Sequence, residues 1–161
     1  MIEQQIRTWD IFDEKVLDLY DKIKRENYVP NEYKKLAFTD VQLPLKYDQF
    51  MLAPKQEAKV LQELKLKPTD NILHVGTGSG FFAAMLASLS KHVVTVDIHE
   101  QLLIEARLIH QVDKLSNITY IHDDGIFGYL EYAPYDVIVF TGGLVKEPIG
   151  LREQLKMGGK L

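Results

Sequence analysis

Apolar residues in the second half of the chain follow two different spacings. Four short runs are continuously rich in apolar and β-branched residues, which predicts strands. These runs span residues 72–75, 93–96, 118–121 and 137–140. Between them, residues 81–89 and the positions Leu102, Ala106 and Ile109 follow helical spacing. Strands that are apolar throughout are typical of a parallel sheet covered by helices on both faces, so the pattern predicts a doubly wound α/β fold with a mostly parallel sheet.

The first 70 residues show a different pattern. Asp13 is placed to cap a first helix, and Pro54 suits the first position of a second one. Residues 31–50 have no sustained period, which predicts a short helix followed by loop. We therefore expect an amino-terminal helical and loop extension over residues 1–70 and an α/β domain over residues 71–161, which together form one structural unit.

Composition and charge narrow the class of protein. With 161 residues, 46% of them hydrophobic, the chain can bury the core of one ordinary domain. The absence of cysteine excludes disulfides, thiolate metal sites and cysteine nucleophiles. The net charge of -4 is spread along the chain, which argues against a nucleic-acid partner. The sequence contains neither an apolar run of membrane-spanning length nor the layout of a signal peptide, so we expect a cytoplasmic protein without membrane association.

Three glycines follow the first of these strands, in the segment VGTGSGFF. Gly76, Gly78 and Gly80 lie at the carboxyl end of a strand, where ligands of doubly wound sheets bind. The absence of side chains lets a ligand approach the backbone, and the helix that follows presents free N–H groups. The spacing is GxGxG rather than the GxGxxG of dinucleotide-binding proteins, because Phe81 occupies the last position of that motif.

The next two strands also end in residues that could contact a ligand. Asp97 ends the strand HVVTVD, where a carboxylate can accept hydrogen bonds from both hydroxyls of a ribose. Asp124 and Gly125 follow the third strand, where an acceptor and a bare backbone can meet the edge of an adenine. Such features on three successive strand ends predict a ligand that contains a nucleoside.

Segments along nearly the whole chain resemble class I S-adenosyl-L-methionine-dependent methyltransferases, which have a Rossmann-like fold. The amino-terminal segments resemble the protein-L-isoaspartate O-methyltransferase family in particular. The matching segments are EQQIRTWDIFDEKVLDLY, ENYVP, AFTDVQLPL, the AP of MLAPKQEA, VGTGSGFFAAMLA, DDG, YDVIVFTGG and QLKMGGKL. The resemblance implies that S-adenosyl-L-methionine is the cofactor and that the substrate is a damaged protein or peptide bearing isoaspartate, whose carboxylate accepts the methyl group.

The resemblance also implies a set of cofactor-binding residues. These are Gly76, Thr77, Gly78, Ser79, Gly80, Asp97, Ile98, Asp124, Gly125, Thr141 and Gly142. Residues 76–80 would surround the methionine portion of the cofactor, Asp97 would hold the ribose, and Asp124 with Gly125 would border the adenine. Residues 141–142 would line the floor of the site.

The implied reaction needs no catalytic side chain that the sequence could reveal. An isoaspartyl carboxylate, with a reference pKa of about 4, is ionised at neutral pH and attacks the methyl group without a general base. Orientation and the exclusion of water would supply most of the acceleration. We also expect no metal, because the His122-Asp123-Asp124 cluster has no partner residues at ligand spacing.

Several positions before the glycines depart from the pattern of the family. The family usually has glycines, then a threonine and a serine, then histidines, where this chain has Lys46, Asp48, Phe50, Leu52, Lys55 and Glu57. Leu52 has no hydroxyl to hold the substrate, and a lost hydrogen bond to a charged group costs roughly 1.5 to 3 kcal/mol. An alternative is therefore a divergent cofactor-binding relative with a shifted acceptor or little catalytic activity. A nicotinamide oxidoreductase or other nucleotide binder is a third possibility.

His74 is a further departure, because methyltransferases of this class usually have an acidic residue two positions before the first glycine. A neutral imidazole could accept a hydrogen bond from the amino group of the cofactor, whereas an imidazolium would repel it. In that case affinity should weaken at low pH. The alternative is that His74 is a strand residue whose ring finds partners within the protein.

The chain stops at Leu161, just after a segment that in the family leads into a fifth strand and two more. We therefore expect the strand at 137–140 to have an unpaired apolar edge. A second copy of the chain in a homo-oligomer, or the rest of a longer polypeptide, would cover that edge. We favour a fragment that lacks its carboxyl-terminal strands.

Overall fold

The computed structural model describes residues 6–161. The opening segment MIEQQ, which contributed to the argument against a signal peptide, lies outside the described residues. The chain divides into two compact units, one up to Lys65 and the other from Leu66 to Leu161. Within residues 6–161, no helix is long and apolar enough to cross a membrane.

From residue 6 onward, the first unit contains two α-helices and a short hairpin. The elements are α1 (Glu14–Lys22), β1 (Leu43–Pro44), β2 (Phe50–Met51) and α2 (Pro54–Leu64). The Asp13 side chain accepts a hydrogen bond from the backbone N–H of Lys15, so it caps α1 as predicted. The segment predicted as short helix and loop contains a 3₁₀ helix at Asn31–Leu36 and then the antiparallel hairpin. Strands of two residues are too short to produce a detectable alternation, which is why the pattern missed them.

A buried ion pair lies within the first unit. The Nε atom of Arg25 is 3.3 Å from Oε2 of Glu57, and the two side chains are 1% and 2% exposed. Arg25 also donates to the carbonyl of Leu52 at 2.6 Å and to Sδ of Met51 at 3.3 Å. Burial raises the pKa of the Glu57 carboxyl, and the Arg25 guanidinium opposes that rise. Glu57, one of the departures from the family pattern, is therefore the partner of a buried arginine.

The second unit is a five-stranded parallel sheet with helices. In chain order its elements are β3 (Asn71–Val75), α3 (Phe81–Leu89), β4 (His92–Asp97), α4 (Glu100–Val112), β5 (Ile118–His122), β6 (Tyr135–Phe140) and β7 (Leu155–Lys160). The strand order is β5-β4-β3-β6-β7, and every neighbouring pair is parallel. The predicted α/β fold with a doubly wound parallel sheet is confirmed. Because the chain moves outward from β3 to β5 and then returns to β6 on the other side of β3, the strand order reverses at β3, where such folds bind ligands.

The two helices of the second unit differ in burial. Every residue from Phe81 to Ala87 in α3 is buried, as expected for a helix that is apolar on all sides. In α4 the predicted inward positions Leu102 and Ala106 are buried, but Ile109 is only half-buried. The next residue, His110, is buried instead, with 0% exposure.

The carboxyl-terminal strand corrects one expectation. β7 pairs with β6, with Tyr135 opposite Leu155 and Val137 opposite Lys160 across a register shift. The side of β6 that we expected to be unpaired is thus covered, at its amino-terminal half, by the chain's own last residues. Lys156 supports this pairing, because its Nζ lies 2.7 Å from Oδ2 of Asp136 on β6. The expectation of a homo-oligomer at that edge stays a prediction.

Candidate cofactor-binding site

The first glycine of the turn after β3 has no room for a side chain. Gly76 has a φ of +97°, and a β-carbon there would lie 2.8 Å from Oγ1 of Thr141 and 3.2 Å from the backbone nitrogen of Gly142. Its N–H donates to the carbonyl of Val96 at 2.8 Å. Gly76 therefore brings the ends of β3, β4 and β6 together, which places the predicted residues Thr141 and Gly142 beside the glycine turn.

The third glycine of the turn is required by helix packing. Gly80 is buried with a φ of +84°, and a β-carbon there would lie 2.6 Å from Cβ of Ala106 on α4. The Nε2 of His110 donates to the carbonyl of Gly80 at 2.9 Å. Because Nε2 is the donor, Nδ1 of the neutral ring accepts from the hydroxyl of Tyr120 at 2.7 Å. The sequence prediction did not include His110 or Tyr120, although His110 lies four residues after Ala106 and so shares its helix face.

Asp97 connects the glycine turn to the turn after β4. Its carboxylate accepts the N–H of Gly78 at 3.0 Å through Oδ2 and the N–H of His99 at 2.9 Å through Oδ1. The residue is 7% exposed. Since each carboxylate oxygen can accept two hydrogen bonds, Asp97 retains acceptor capacity beyond these two bonds.

The loop after β5 reaches the same place. Gly125 is buried, and a β-carbon there would lie 2.7 Å from Cγ1 of Val75 and 3.1 Å from Cγ1 of Val96. Its backbone therefore lies directly against the carboxyl ends of β3 and β4. Asp124 is exposed, and its Oδ1 accepts the N–H of Ile126 at 3.1 Å, which caps a 3₁₀ turn.

A buried glutamine that the sequence analysis missed fixes this loop. Gln154, 3% exposed, donates through Nε2 to the carbonyl of Phe127 at 2.6 Å and accepts the N–H of Tyr129 at 2.9 Å through Oε1. Its amide also occupies the space that a side chain at Gly128 would need. No local pattern could have revealed this role, because Gln154 is 25 residues from Tyr129 in sequence.

His74 is completely buried in the middle strand of the sheet, with 0% exposure. Its Nδ1 lies 3.0 Å from Oγ1 of Thr95 on β4, and its Nε2 lies 3.0 Å from Oγ1 of Thr141 at the end of β6. Burial, with a smaller contribution from His110, lowers the pKa of the His74 imidazole to about 3. Of the two interpretations of His74, the structure supports a strand residue whose ring nitrogens both have partners within the protein.

The other predicted residues differ in exposure. Thr77 is 3% exposed, and its hydroxyl lies 2.7 Å from that of Thr95. Ser79 accepts the N–H of the first residue of α3 at 3.3 Å, and Ile98 is 57% exposed. A β-carbon at Gly142 would have nothing within 4 Å. The individual contacts of all these residues with a cofactor stay predictions.

Metal-binding side chains do not cluster in the part of the chain that the structure describes. Among residues 6–161, no group of three or more histidine, aspartate or glutamate side chains could hold a metal ion.

Comparison with known proteins identifies similar sequences along the whole chain. The model of the protein-L-isoaspartate(D-aspartate) O-methyltransferase family matches residues 1–161. A protein-L-isoaspartate O-methyltransferase from Roseobacter denitrificans is 37% identical over 154 residues, which cover 96% of this chain and 72% of that protein. The protein of the same name from Protochlamydia amoebophila is 35% identical over 161 residues, which cover 100% and 77%.

Solved structures share the fold. A protein-L-isoaspartate O-methyltransferase superposes with a TM-score of 0.85 at 23% identity, covering 99% of this chain and 53% of its own. This chain thus spans about half the length of that solved structure. A precorrin 8W decarboxylase from Methanobacterium thermoautotrophicum superposes with a TM-score of 0.61 at 21% identity, covering 68% of this chain and 61% of its own.

Proposed function

Because this chain belongs to the protein-L-isoaspartate(D-aspartate) O-methyltransferase family, we propose that it transfers a methyl group from S-adenosyl-L-methionine to the carboxylate of isoaspartyl residues in damaged proteins or peptides. The observation that carries the proposal is the convergence of predicted ligand-binding features on one turn. The features come from three different strand ends. Gly76 and Gly125 lie against the ends of neighbouring strands, and the Asp97 carboxylate is hydrogen-bonded to the turn itself.

The residues at this turn fit the proposed cofactor. At Gly76 and Gly125 the backbone is bare, and the surrounding atoms leave no room for a β-carbon. These two glycines let the strand ends pack closely together, and the peptide groups of residues 76–80 would hold the methionine portion of the cofactor. The free acceptor capacity of Asp97 suits ribose hydroxyls. The loop at Asp124 and Gly125 would border the adenine.

The proposed reaction requires orientation more than acid–base chemistry. When bound, the cofactor supplies a methyl group on a positively charged sulfur. The acceptor carboxylate is ionised at neutral pH, so the protein does not have to remove a proton. The chain's contribution is to hold the acceptor in line and to exclude water, and orientation of this kind is worth roughly 7 to 11 kcal/mol. A rigid turn, with bonds from its backbone to β4 and β6, suits that role.

Binding can be tested by calorimetry with S-adenosyl-L-methionine and with NAD. We expect heat of binding with the former only, and a clear NAD isotherm without one for S-adenosyl-L-methionine would reject the proposal.

Replacing Asp97 by alanine should weaken the affinity for S-adenosyl-L-methionine by about ten- to a hundredfold, because charge-assisted hydrogen bonds to the ribose are lost. Asp136→Ala is a matched control. Its carboxylate also accepts a backbone N–H, that of Asn71 at 2.8 Å, but at the amino-terminal end of the sheet.

A second candidate function follows from Leu52 in the first unit. Its carbonyl accepts a bond from Arg25, but its side chain offers no hydroxyl. This favours a cofactor-binding relative that has a shifted acceptor or transfers methyl groups slowly. Incubation with an isoaspartyl peptide and a labelled methyl donor, with the aspartyl peptide as control, separates the two candidates. Label on the isoaspartyl peptide alone supports the first candidate. Label that stays on the donor, together with transfer restored by Leu52→Ser, supports the second.

A further inference from the structure

A row of hydrogen-bonded side chains lies below the glycine turn and joins three neighbouring strands. The hydroxyl of Thr77 is 2.7 Å from that of Thr95, which is 3.0 Å from Nδ1 of His74. On the other side of the ring, Nε2 is 3.0 Å from the hydroxyl of Thr141, which donates to the carbonyl of Gly76 at 2.6 Å. The row therefore begins and ends at consecutive residues of the turn.

The chemistry of the last acceptor sets the direction of every bond in this row. A carbonyl only accepts, so the single hydroxyl proton of Thr141 goes to Gly76, and Thr141 must accept from Nε2 of His74. With its proton on Nε2, the neutral ring accepts through Nδ1 from the hydroxyl of Thr95. Thr95 has then used its proton, so the hydroxyl of Thr77 must donate to it. One tautomer of His74 satisfies all four bonds.

We propose that His74, as the neutral tautomer protonated on Nε2, is a positioning residue that fixes the shape of the glycine turn. It holds the Thr77 side chain through Thr95 and the Gly76 carbonyl through Thr141. The residue acts through these threonines and does not contact the cofactor itself. The proposal rests on the proposed function in one respect, namely that the turn's ligand is S-adenosyl-L-methionine.

The surroundings of the ring support this role. His74 and Thr95 are 0% exposed and Thr77 is 3% exposed, so water does not compete for the bonds among these three residues. The ring also packs against Phe82 of α3, with centroids 5.6 Å apart. Burial keeps the ring neutral at physiological pH, and His110 is the other titratable group whose charge affects it. A cationic ring would donate from both nitrogens, which would break the bond from Thr95.

Nuclear magnetic resonance of the imidazole nitrogens tests the tautomer without any cofactor. We expect a proton on Nε2 of His74 and an unprotonated Nδ1, with no titration between pH 8 and pH 5. A proton on Nδ1, or a ring that titrates near its ordinary pKa of about 6.5, would overturn the proposal.

Calorimetry with S-adenosylhomocysteine tests the positioning itself. Thr141→Val should weaken binding by about tenfold, because the Gly76 carbonyl loses its donor and the row of side chains then reaches the turn at Thr77 only. Thr119→Val is the matched control, since it removes a hydroxyl that lies 3.0 Å from Nε2 of His92 at the other end of the sheet. We expect this control to bind as the unaltered protein does. Equal affinity of the Thr141→Val and Thr119→Val variants would contradict the proposal.

Two substitutions of the histidine distinguish positioning from simple packing. His74→Phe keeps an aromatic ring but neither hydrogen bond, whereas His74→Gln keeps a donor and an acceptor and cannot titrate. If His74 only fills space, the His74→Phe variant should bind S-adenosylhomocysteine as well as or better than the His74→Gln variant does. We expect the reverse order, and Thr141→Val should cost less affinity in the His74→Phe background than in the unaltered protein.

The proposed function and this inference can fail separately. If the unaltered protein binds no S-adenosylhomocysteine, the proposed function is wrong. The amide resonances of Gly76 and Thr77 then decide the inference. A large shift in the His74→Phe variant, with none in Thr119→Val, supports the role of His74 in shaping the turn. Unchanged resonances in both variants exclude it.

Discussion

Single residues in the glycine turn are constrained by different neighbours. Gly76 is glycine because the end of β6 approaches it, with Thr141 in the space that a β-carbon would occupy. Gly80 is glycine because α4 packs against it through Ala106. The spacing GxGxG is thus explained in part by packing inside the protein. A glycine motif can therefore mark a ligand site even where some of its members do not face the ligand.

Replacing Gly76 by alanine should lower both stability and cofactor affinity. The alanine would be forced to a φ of +97° with its β-carbon too close to Thr141, so we expect a loss of about 1 to 3 kcal/mol in the free energy of unfolding. Gly143→Ala is the control, because a β-carbon there meets nothing within 4 Å, and its effect should stay within about 0.5 kcal/mol. Denaturant unfolding measures the stability of both variants. Equal stability of the two variants would show that Gly76 is not constrained as described.

At the scale of secondary-structure elements, the loop between β5 and β6 depends on the segment that leads into β7. Gln154 immediately precedes β7, and its side chain bonds the backbone of Phe127 and Tyr129 in that loop. The same loop contains Gly125, whose backbone lies against the ends of β3 and β4. Changes in the last part of the chain can therefore affect the region that would border the adenine.

We expect Gln154→Leu to loosen this loop. The substitution leaves the carbonyl of Phe127 and the N–H of Tyr129 without their partner, which should cost about 2 kcal/mol in the free energy of unfolding. Hydrogen exchange at the Tyr129 amide should be faster than in the unaltered protein. Gln111→Leu, at an exposed position of α4, serves as the control. Unchanged protection of the Tyr129 amide in the Gln154→Leu variant would refute this role of Gln154.

At the scale of the whole molecule, two buried histidines influence the response to acid. Burial lowers the pKa of His74 to about 3, and it also lowers the pKa of His110. In the unfolded chain both rings have their ordinary pKa of about 6.5. Between these values the unfolded state binds more protons than the folded state, so the free energy of unfolding decreases as the pH falls.

The contribution of His74 can be isolated by substitution. Protonation of the His74 ring in the unfolded chain should lower the free energy of unfolding at pH 5 by about 2 kcal/mol relative to pH 8. The folded protein keeps the ring neutral over this range. The variant His74→Gln, which has no titratable group at this position, should lose that part of the pH dependence. Denaturant unfolding at pH 8 and pH 5 of both proteins gives the comparison. Identical pH dependence in the two would mean that the ring is not kept neutral by folding.

The sequence by itself predicted the strands β3 to β6 and the two helices of the second unit, the parallel sheet, the position of the glycine turn and the cap at Asp13. These features depend on residues close together in the chain, since hydrophobic periodicity, strand-end glycines and caps are local properties. The family resemblance added the cofactor and the site residues. The cytoplasmic location and the absence of a nucleic-acid partner stay predictions.

Only the tertiary structure decided which distant residues meet. It paired β7 with β6, made Glu57 the partner of Arg25, and placed Gln154 against the loop after β5. It also decided between the two interpretations of His74 by placing threonines from β4 and β6 against both ring nitrogens. The physical reason is that the protonation and partners of a buried polar group are set by whatever surrounds it in space, and those neighbours are separated from it by tens of residues in the chain.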